Sequence, residues 1–338
     1  MMLMYLASGD GLALVRSTNG RLRADLELVG FPTQCVAVDP ARPEIGYCGT
    51  FGRGLYRTEN AGRSWTPVGS GIGSAEVTAV AVSALERNGE SGVVWAGTEP
   101  SAPYRSEDGG NQWIERRTLR DLPSAPTWSF PPRPWTSHVR WIAPDPTEAR
   151  RLFVGIELGG VMRSLDAGET WEDRKPGSQH DAHTLRTHTA APGHVYEAAG
   201  GGFAESHDGG ATWQGFDSGL TRTYVWGLAV DPGDPGTAVV SASPGPRQAH
   251  GEPGEAGIYR RAGDGVWIEV RAGLPPQQGT RAYVLAANPA EPGVFYAATR
   301  DGDVYRSPDA GLSWERFDLS WPDGYRAPDV RGFVVFEA

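Results

Sequence analysis

The sequence predicts an all-β chain folded as a seven-bladed β-propeller of four-stranded antiparallel blades. Three observations carry this. The 338 residues include 46 glycines and 27 prolines, close to twice their ordinary share of roughly 12%, beside 12 Trp and 11 Tyr. A unit of short strand-like pieces ends on tryptophan six times, at Trp65, Trp113, Trp171, Trp213, Trp267 and Trp314, with spacings of 48, 58, 42, 54 and 47 residues. The two chain ends supply the parts of one more unit. Dense punctuation combined with many aromatics excludes low-complexity disorder, and a repeat of about 40 to 50 residues built from strands marks a radial or stacked repeat fold.

The unit is clearest where it first occurs, as V-A-V-D-P (Val36 to Pro40), Y-C-G-T (Tyr47 to Thr50), G-L-Y-R-T (Gly54 to Thr58) and N-A-G-R-S-W (Asn60 to Trp65). Each piece is short, rich in Val, Tyr, Trp and Thr, and bounded by Gly, Pro, Asn or Asp, which is the pattern of a strand between turns. Four such strands make one twisted sheet, a blade. Residues 1–338 then divide into blades at roughly 23–65, 66–113, 114–171, 172–213, 214–267 and 268–314, with 315–338 and 1–22 forming the last. In that last blade Tyr5 to Ser8 and Leu14 to Leu22 give three strands without a first, and Val330 to Phe336 give a first strand with nothing after it. Joining the two ends removes the open sheet edges that invite aggregation.

Composition narrows the function. No run of 18 apolar residues exists to span a membrane. The start, Met1 to Ala7, has no basic stretch and too short an apolar run for a secretory signal, so a soluble cytoplasmic protein is expected. A net charge of −10 argues against nucleic acid, whose phosphates need clustered positive charge. Cys35 and Cys48 are too few for a disulfide framework and are expected as free thiols on adjacent strands. A monomer is expected.

The turn between third and fourth strands carries a recognisable motif. S-x-D-x-G-x-x-W occurs at Ser106 to Trp113, Ser164 to Trp171, Ser206 to Trp213 and Ser307 to Trp314, with an Asn variant at Thr58 to Trp65 and degenerate forms at Arg261 to Trp267 and Ser17 to Leu22. It resembles the Asp-box (BNR) turn, and the chain resembles the sialidase-like, photosystem-assembly-factor-like (Ycf48) and sortilin-like propellers, within the wider WD40/YVTN-like repeats. Asp108, Asp166, Asp208 and Asp309 are expected to build the turn by accepting backbone N–H bonds, with Gly109, Gly168, Gly210 and Gly311 at positive φ. The resemblance implies that these turns lie on the face away from the ligand site.

Strand direction then sorts the remaining residues. The turns after the first strands, Asp39-Pro40, Asp145-Pro146, Asp231-Pro232 and Asn288-Pro289, share the face of the S-x-D turns. The opposite face holds the starts of the first strands, which converge on the central channel, where binding pockets form by default. Five positions before the turn the chain places Gln34, Thr78, Arg140, His183, Trp226, Tyr283 and Arg331; two further back it places Pro32, Glu76, His138, Asp181, Tyr224, Arg281 and Asp329. Loops on this face add Phe51, Glu99, Glu157, Gly200, Ser243 and Arg300. Two long segments add more: 121–137, with Trp128, Phe130 and Trp135 among five prolines, and 243–257, with Arg247 and His250.

Three functions compete for these residues. The first is binding of an anionic small molecule, a peptide or a protein partner, with Arg140, Arg281 and Arg331 holding a carboxylate or phosphate and Trp128, Trp135 or Trp226 stacking on a ring; no cofactor is then required. Against it stands a purely structural use, in which the arginines pair with Glu76, Asp181 and Glu157. The second is a divalent-metal enzyme of hydrolase or lyase type built on His138, His180 and His183 with Glu157 or Asp181, a donor set suited to Zn, Fe or Mn. The third is sialidase-like glycoside hydrolysis, which needs a Tyr–Glu pair such as Tyr224 or Tyr283 with Glu76 or Glu157 and a separate acid. The F-R-I-P or Y-R-I-P segment of those enzymes is missing. The catalytic candidates are Glu157, His183 and Tyr283.

Overall fold

The computed structural model describes residues 1–18, 21–322 and 324–338, and its strands form seven antiparallel sheets. The first strands are Thr33–Asp39, Val77–Asn88, Val139–Pro144, Ala182–Thr187, Tyr224–Asp231, Val284–Ala287 and Gly332–Glu337. They touch one another in cyclic order and so surround a channel. This is a seven-bladed propeller. Blades are numbered here from Thr33, and the blade shared by the termini is the seventh.

The closure is the one the termini predict. Met2–Ser8 pairs with Gly332–Glu337, Met2 opposite Glu337 and Ala7 opposite Gly332, while Gly11–Thr18 and Arg21–Glu27 continue outward. A short fifth strand, Leu319–Ser320, runs parallel to Arg21–Glu27 on the outer edge. The tip of the degenerate turn expected at Ser17 to Leu22, Asn19 and Gly20, lies outside the described residues. Outer strands of the other blades are only two or three residues long and follow the tryptophans, as in Ile114–Glu115 and Gln214–Gly215. In blade 3 a single bridge, Arg163 to Glu172, takes that place.

The core lies between the blades rather than in one central mass. Trp113, Trp171, Trp213, Trp267 and Trp314 are each at most 9% exposed and wedge between neighbouring sheets, where truncating a buried aromatic costs about 3–5 kcal/mol. The S-x-D turns that carry four of them, all but Trp267, share one hydrogen-bond pattern. In blade 4 the Asp208 Oδ1 accepts from the N–H groups of Ala211 (3.0 Å) and Thr212 (2.9 Å), while Ser206 Oγ accepts from Gly210 N–H at 2.8 Å. Asn60 does the same work in blade 1, accepting from Ser64 N–H at 3.0 Å. Positive φ spans two residues rather than one: in blade 2 Gly109 and Gly110, in blade 3 Ala167 and Gly168. The motif glycine of blade 2 is therefore Gly110, and the residue before it shares the left-handed conformation even where it is alanine.

Five first strands carry an irregularity in the same place. Pairing with the second strand skips one residue at Gln34, Thr78, Arg140, His183 and Trp226. A skipped residue is a β-bulge, which bends the strand and re-aims its side chain. Small residues across the sheet leave room for the next blade there. A Cβ on Gly97 would come within 2.4 Å of Val139. No helix among the described residues is long and apolar enough to cross a membrane.

Candidate functional site

The bulges, the starts of the first strands and the loops after the second strands enclose a cavity of about 870 Å3 at the end of the channel opposite the S-x-D turns. Bulge residues set its floor. Thr78 Oγ1 donates to Val139 O (2.7 Å), and His183 Nδ1 sits 2.8 Å from Val225 O, so each reaches a carbonyl of the following blade. Arg140 does not. Its guanidinium lies 4.5 Å over the Trp226 ring, its Nε is 3.9 Å from Glu157 Oε2, and it makes no hydrogen bond among the described residues. Burial lowers the Arg140 pKa, with Glu157 opposing.

One wall is acidic. Glu157 Oε2 lies 3.0 Å from His138 Nε2, and Asp181 accepts from Leu158 N–H at 3.2 Å. Asp181 Oδ2 is 3.3 Å from His183 Nε2. Burial works against ionisation of Glu157, but the His138 hydrogen bond and the charges of His138, His183 and Arg140 hold its carboxyl down at about 2. The other wall is basic. Arg300 and Arg331 share one carboxylate, Asp329, at 2.5 and 2.7 Å; their charges outweigh burial and lower its pKa. His250 closes this side, with Nε2 3.0 Å from the Tyr224 hydroxyl and its ring over Trp226. Burial, then Arg300, pulls its pKa down to about 3, so it is neutral.

The predicted residues divide clearly. Gln34, His138, Arg140, Asp181, Trp226, His250, Arg331 and Glu157 line the cavity, with His183 buried against it. The remaining candidates lie elsewhere. Trp128 is packed in the core between blades 2 and 3, its Nε1 donating to Ser124 Oγ. Trp135 is 80% exposed outside the cavity. Glu76 accepts from Ser74 Oγ at 2.6 Å and does not face the mouth. Arg281 pairs with the exposed Asp301 and does not line the cavity. Tyr283 is buried in the core between blades 5 and 6, and His180 is exposed and stands apart from the acidic wall. Tyr283 shows no bulge: the paired strand of blade 6 starts after it, at Val284, and runs in unbroken register.

Two arginines were not anticipated. Arg133, in the proline-rich 121–137 segment, clamps Glu99 with two bonds (2.5 and 2.7 Å) and stacks on Phe51 and Phe130 at 4.9 and 4.7 Å. A basic residue among those aromatics was the available signal. Arg186 lies deeper, in a channel of about 480 Å3 whose lining contains no acidic residue. It lies 4.5 Å over Trp141 and, among the described residues, makes two 3.4 Å hydrogen bonds, to Leu185 O and Leu285 O. Burial lowers its pKa to about 10. Nothing in the sequence separates Arg186 from a strand-end residue.

The fold and this mouth define a ligand-scale cavity on a seven-bladed propeller closed by both termini. No family model and no curated protein matches the chain. Solved structures do. An ancestral GH74 enzyme is similar at 20% identity and a TM-score of 0.65, covering 87% of this chain and 40% of that one. The GH74 xyloglucanase of Xanthomonas campestris is similar at 18% identity and 0.62, covering 94% and 47%. The chain therefore spans less than half the length of these enzymes. Ycf48 bound to D1 peptide is similar at 15% identity and 0.58, covering 84% and 80%. Ycf48 belongs to the group that the turn sequences resemble. At these identities the likeness is one of fold, shared by a glycoside hydrolase family and a peptide-binding propeller.

Proposed function

We propose that the protein binds a ligand bearing a carboxylate or phosphate in the upper cavity, with Arg140 as its anchor. The observation that carries this is the Arg140 guanidinium, which is placed by a bulge, lies 4.5 Å over Trp226, and has no hydrogen-bond acceptor among the described residues. An arginine kept for structural pairing would be bonded, as Arg133 is to Glu99 and Arg300 is to Asp329 on the next blade. A guanidinium with free donors over an aromatic ring is suited to bidentate recognition of a planar anion. Two arginines sharing Asp329 leave the same wall net positive, while Tyr224, Trp226, Phe51 and Phe130 supply apolar area. The cavity volume is within the usual range for a small ligand or a peptide end.

The peptide form of this reading has support in the solved complex of Ycf48 with D1 peptide, a propeller of similar fold. Two unpaired thiols, Cys35 and Cys48, support residence in a reducing compartment. The test is a thermal-shift screen of carboxylates, phosphates and short peptides with free or amidated ends. A ligand at one hundred times its Kd stabilises by about 2.7 kcal/mol, and Arg140→Ala should weaken it by roughly 10- to 100-fold. A wild-type protein that gains no stability across the panel, or a ligand that binds Arg140→Ala as tightly, would sink the proposal.

A further inference from the structure

The acidic wall holds a second arrangement that anion binding does not use. Glu157, Asp181 and His183 each offer one ligand atom, and these atoms lie within 4.8 Å of one another. His183 is wholly buried. Its Nδ1 is 2.8 Å from Val225 O, and because a carbonyl only accepts, Nδ1 must carry the hydrogen. In the neutral ring Nε2 is then a bare lone pair. It makes no hydrogen bond, yet it stands 3.3 Å from Asp181 Oδ2. Positive charge is needed between that nitrogen and the carboxylate, and either a proton on Nε2 or a cation that takes the proton's place supplies it.

The spacing suits an ion. Two ligands about 2.1 Å from a tetrahedral centre are separated by roughly 3.4 Å, close to the Asp181–His183 distance. The ligands are also held from behind, as ligands of metal sites usually are. Val225 O fixes the His183 tautomer, with Tyr224 and Trp226 packed on the ring. Leu158 N–H holds Asp181, and His138 Nε2 holds Glu157 at 3.0 Å. Two carboxylates match the charge of a divalent cation.

We propose that Glu157, Asp181 and His183 bind a first-row divalent transition ion, with its open positions facing the upper cavity. One imidazole nitrogen with two carboxylate oxygens selects ions such as Zn2+ or Mn2+ over Ca2+ and Mg2+, which take oxygen ligands. His138 acts as a positioning residue through Glu157, and His180 has no part. Arg140 adjoins the site through Glu157, at 3.9 Å, so an anionic ligand would reach ion and guanidinium together. The ion site stands without the anion reading, and the two fail separately.

The test titrates chelator-stripped full-length protein with Zn2+, and separately with Mn2+, by calorimetry. One ion per chain is expected. Asp181→Asn and Glu157→Gln, which keep shape, should each weaken binding by more than roughly 100-fold, and His138→Gln by about 10-fold. Circular dichroism and the ion-free melting temperature report whether the variants fold. Arg140→Ala should still bind the ion, and anion screens run in chelator report the other reading. A wild-type chain that binds no stoichiometric ion overturns the proposal. So does binding that survives Asp181→Asn but disappears in His207→Ala, which would place the ion at the separate His194, Glu205 and His207 cluster.

Discussion

Replacing Glu197 with glutamine should remove a pH dependence built into blade 4. Glu197 lies on the second strand of that blade, Val195–Ala199, and is wholly buried. Its Oε2 accepts from the Gln179 N–H at 2.9 Å, and its Oε1 has no partner among the described residues. Burial pushes its pKa from 4.5 up to about 8, the Gln179 hydrogen bond opposing. The folded chain thus keeps this proton until about pH 8, whereas the unfolded chain releases it near 4.5. Because the folded pKa is the raised one, the stabilising contribution is complete at low pH and is lost as pH rises through that window, at about 1.4 kcal/mol per pH unit. The window sets a ceiling of about 5 kcal/mol, and relaxation around the ionised carboxylate brings the measurable loss to about 2–4 kcal/mol. Glutamine preserves the acceptor for Gln179 and the volume, and cannot ionise. Urea unfolding of both proteins from about pH 5 to about pH 9 should show a difference near zero at the acid end. At the alkaline end the variant should be the more stable by the stated amount. Parallel curves would refute the reasoning, since they would mean that the fold holds Glu197 ionised at neutral pH.

Arg133→Ala strands Glu99, a 5% exposed carboxylate whose two bonds come from Arg133, and should cost about 3 kcal/mol in chemical denaturation; adding Glu99→Gln should restore most of it. Asp208→Ala removes the acceptor of the blade 4 turn and should cost about 1–2 kcal/mol. Asp208→Asn should cost less, because Asn60 serves the same turn in blade 1. Hydrogen bonds hold Asp208 at about 2 against burial, so its contribution is present above the ordinary Asp range and lost as pH falls toward 2; an acid-unfolding curve that does not distinguish wild type from Asp208→Asn would contradict this. Arg186→Met replaces a channel cation that has no charge partner among the described residues and should raise stability by about 1 kcal/mol, read as a higher melting temperature; a lower one would mean that the Trp141 stack outweighs the burial of charge. Trp135→Ala should change stability by less than about 0.5 kcal/mol and leave ligand binding intact.

The blades were legible because their signals are local. An S-x-D-x-G-x-x-W turn closes its own hydrogen bonds within eight residues, so Ser206, Asp208 and Gly210 declare the hairpin without help from the rest of the chain. The same holds for Asp145 and Asp231, whose carboxylates cap the residues two ahead. Counting such units, and matching the incomplete ends at Tyr5 and Phe333, was enough to predict seven blades and their closure. The mouth was legible only as a list of positions. Sequence alignment of the first strands placed Arg140, His183 and Trp226 beside Tyr283 and Arg281 as equals, and only some of them face the cavity.

Tertiary structure made that selection. Bulges at Gln34, Thr78, Arg140, His183 and Trp226 redirect those side chains, and a bulge exists only when a second strand is there to be skipped. Key contacts also join segments far apart in sequence: Arg133 pairs with Glu99 across 34 residues, and His183 reaches the Val225 carbonyl across 42. Sequence by itself determined the repeat, the turns, the closure by both termini and the end of the channel at which charged residues gather. The ring of blades decided which charges cancel and which do not, leaving Arg140 without a hydrogen-bond acceptor among the described residues and bringing His183 Nε2 beside two carboxylates. Electrostatic pairing is settled by distances of a few ångströms between blades, and no spacing along the chain encodes those.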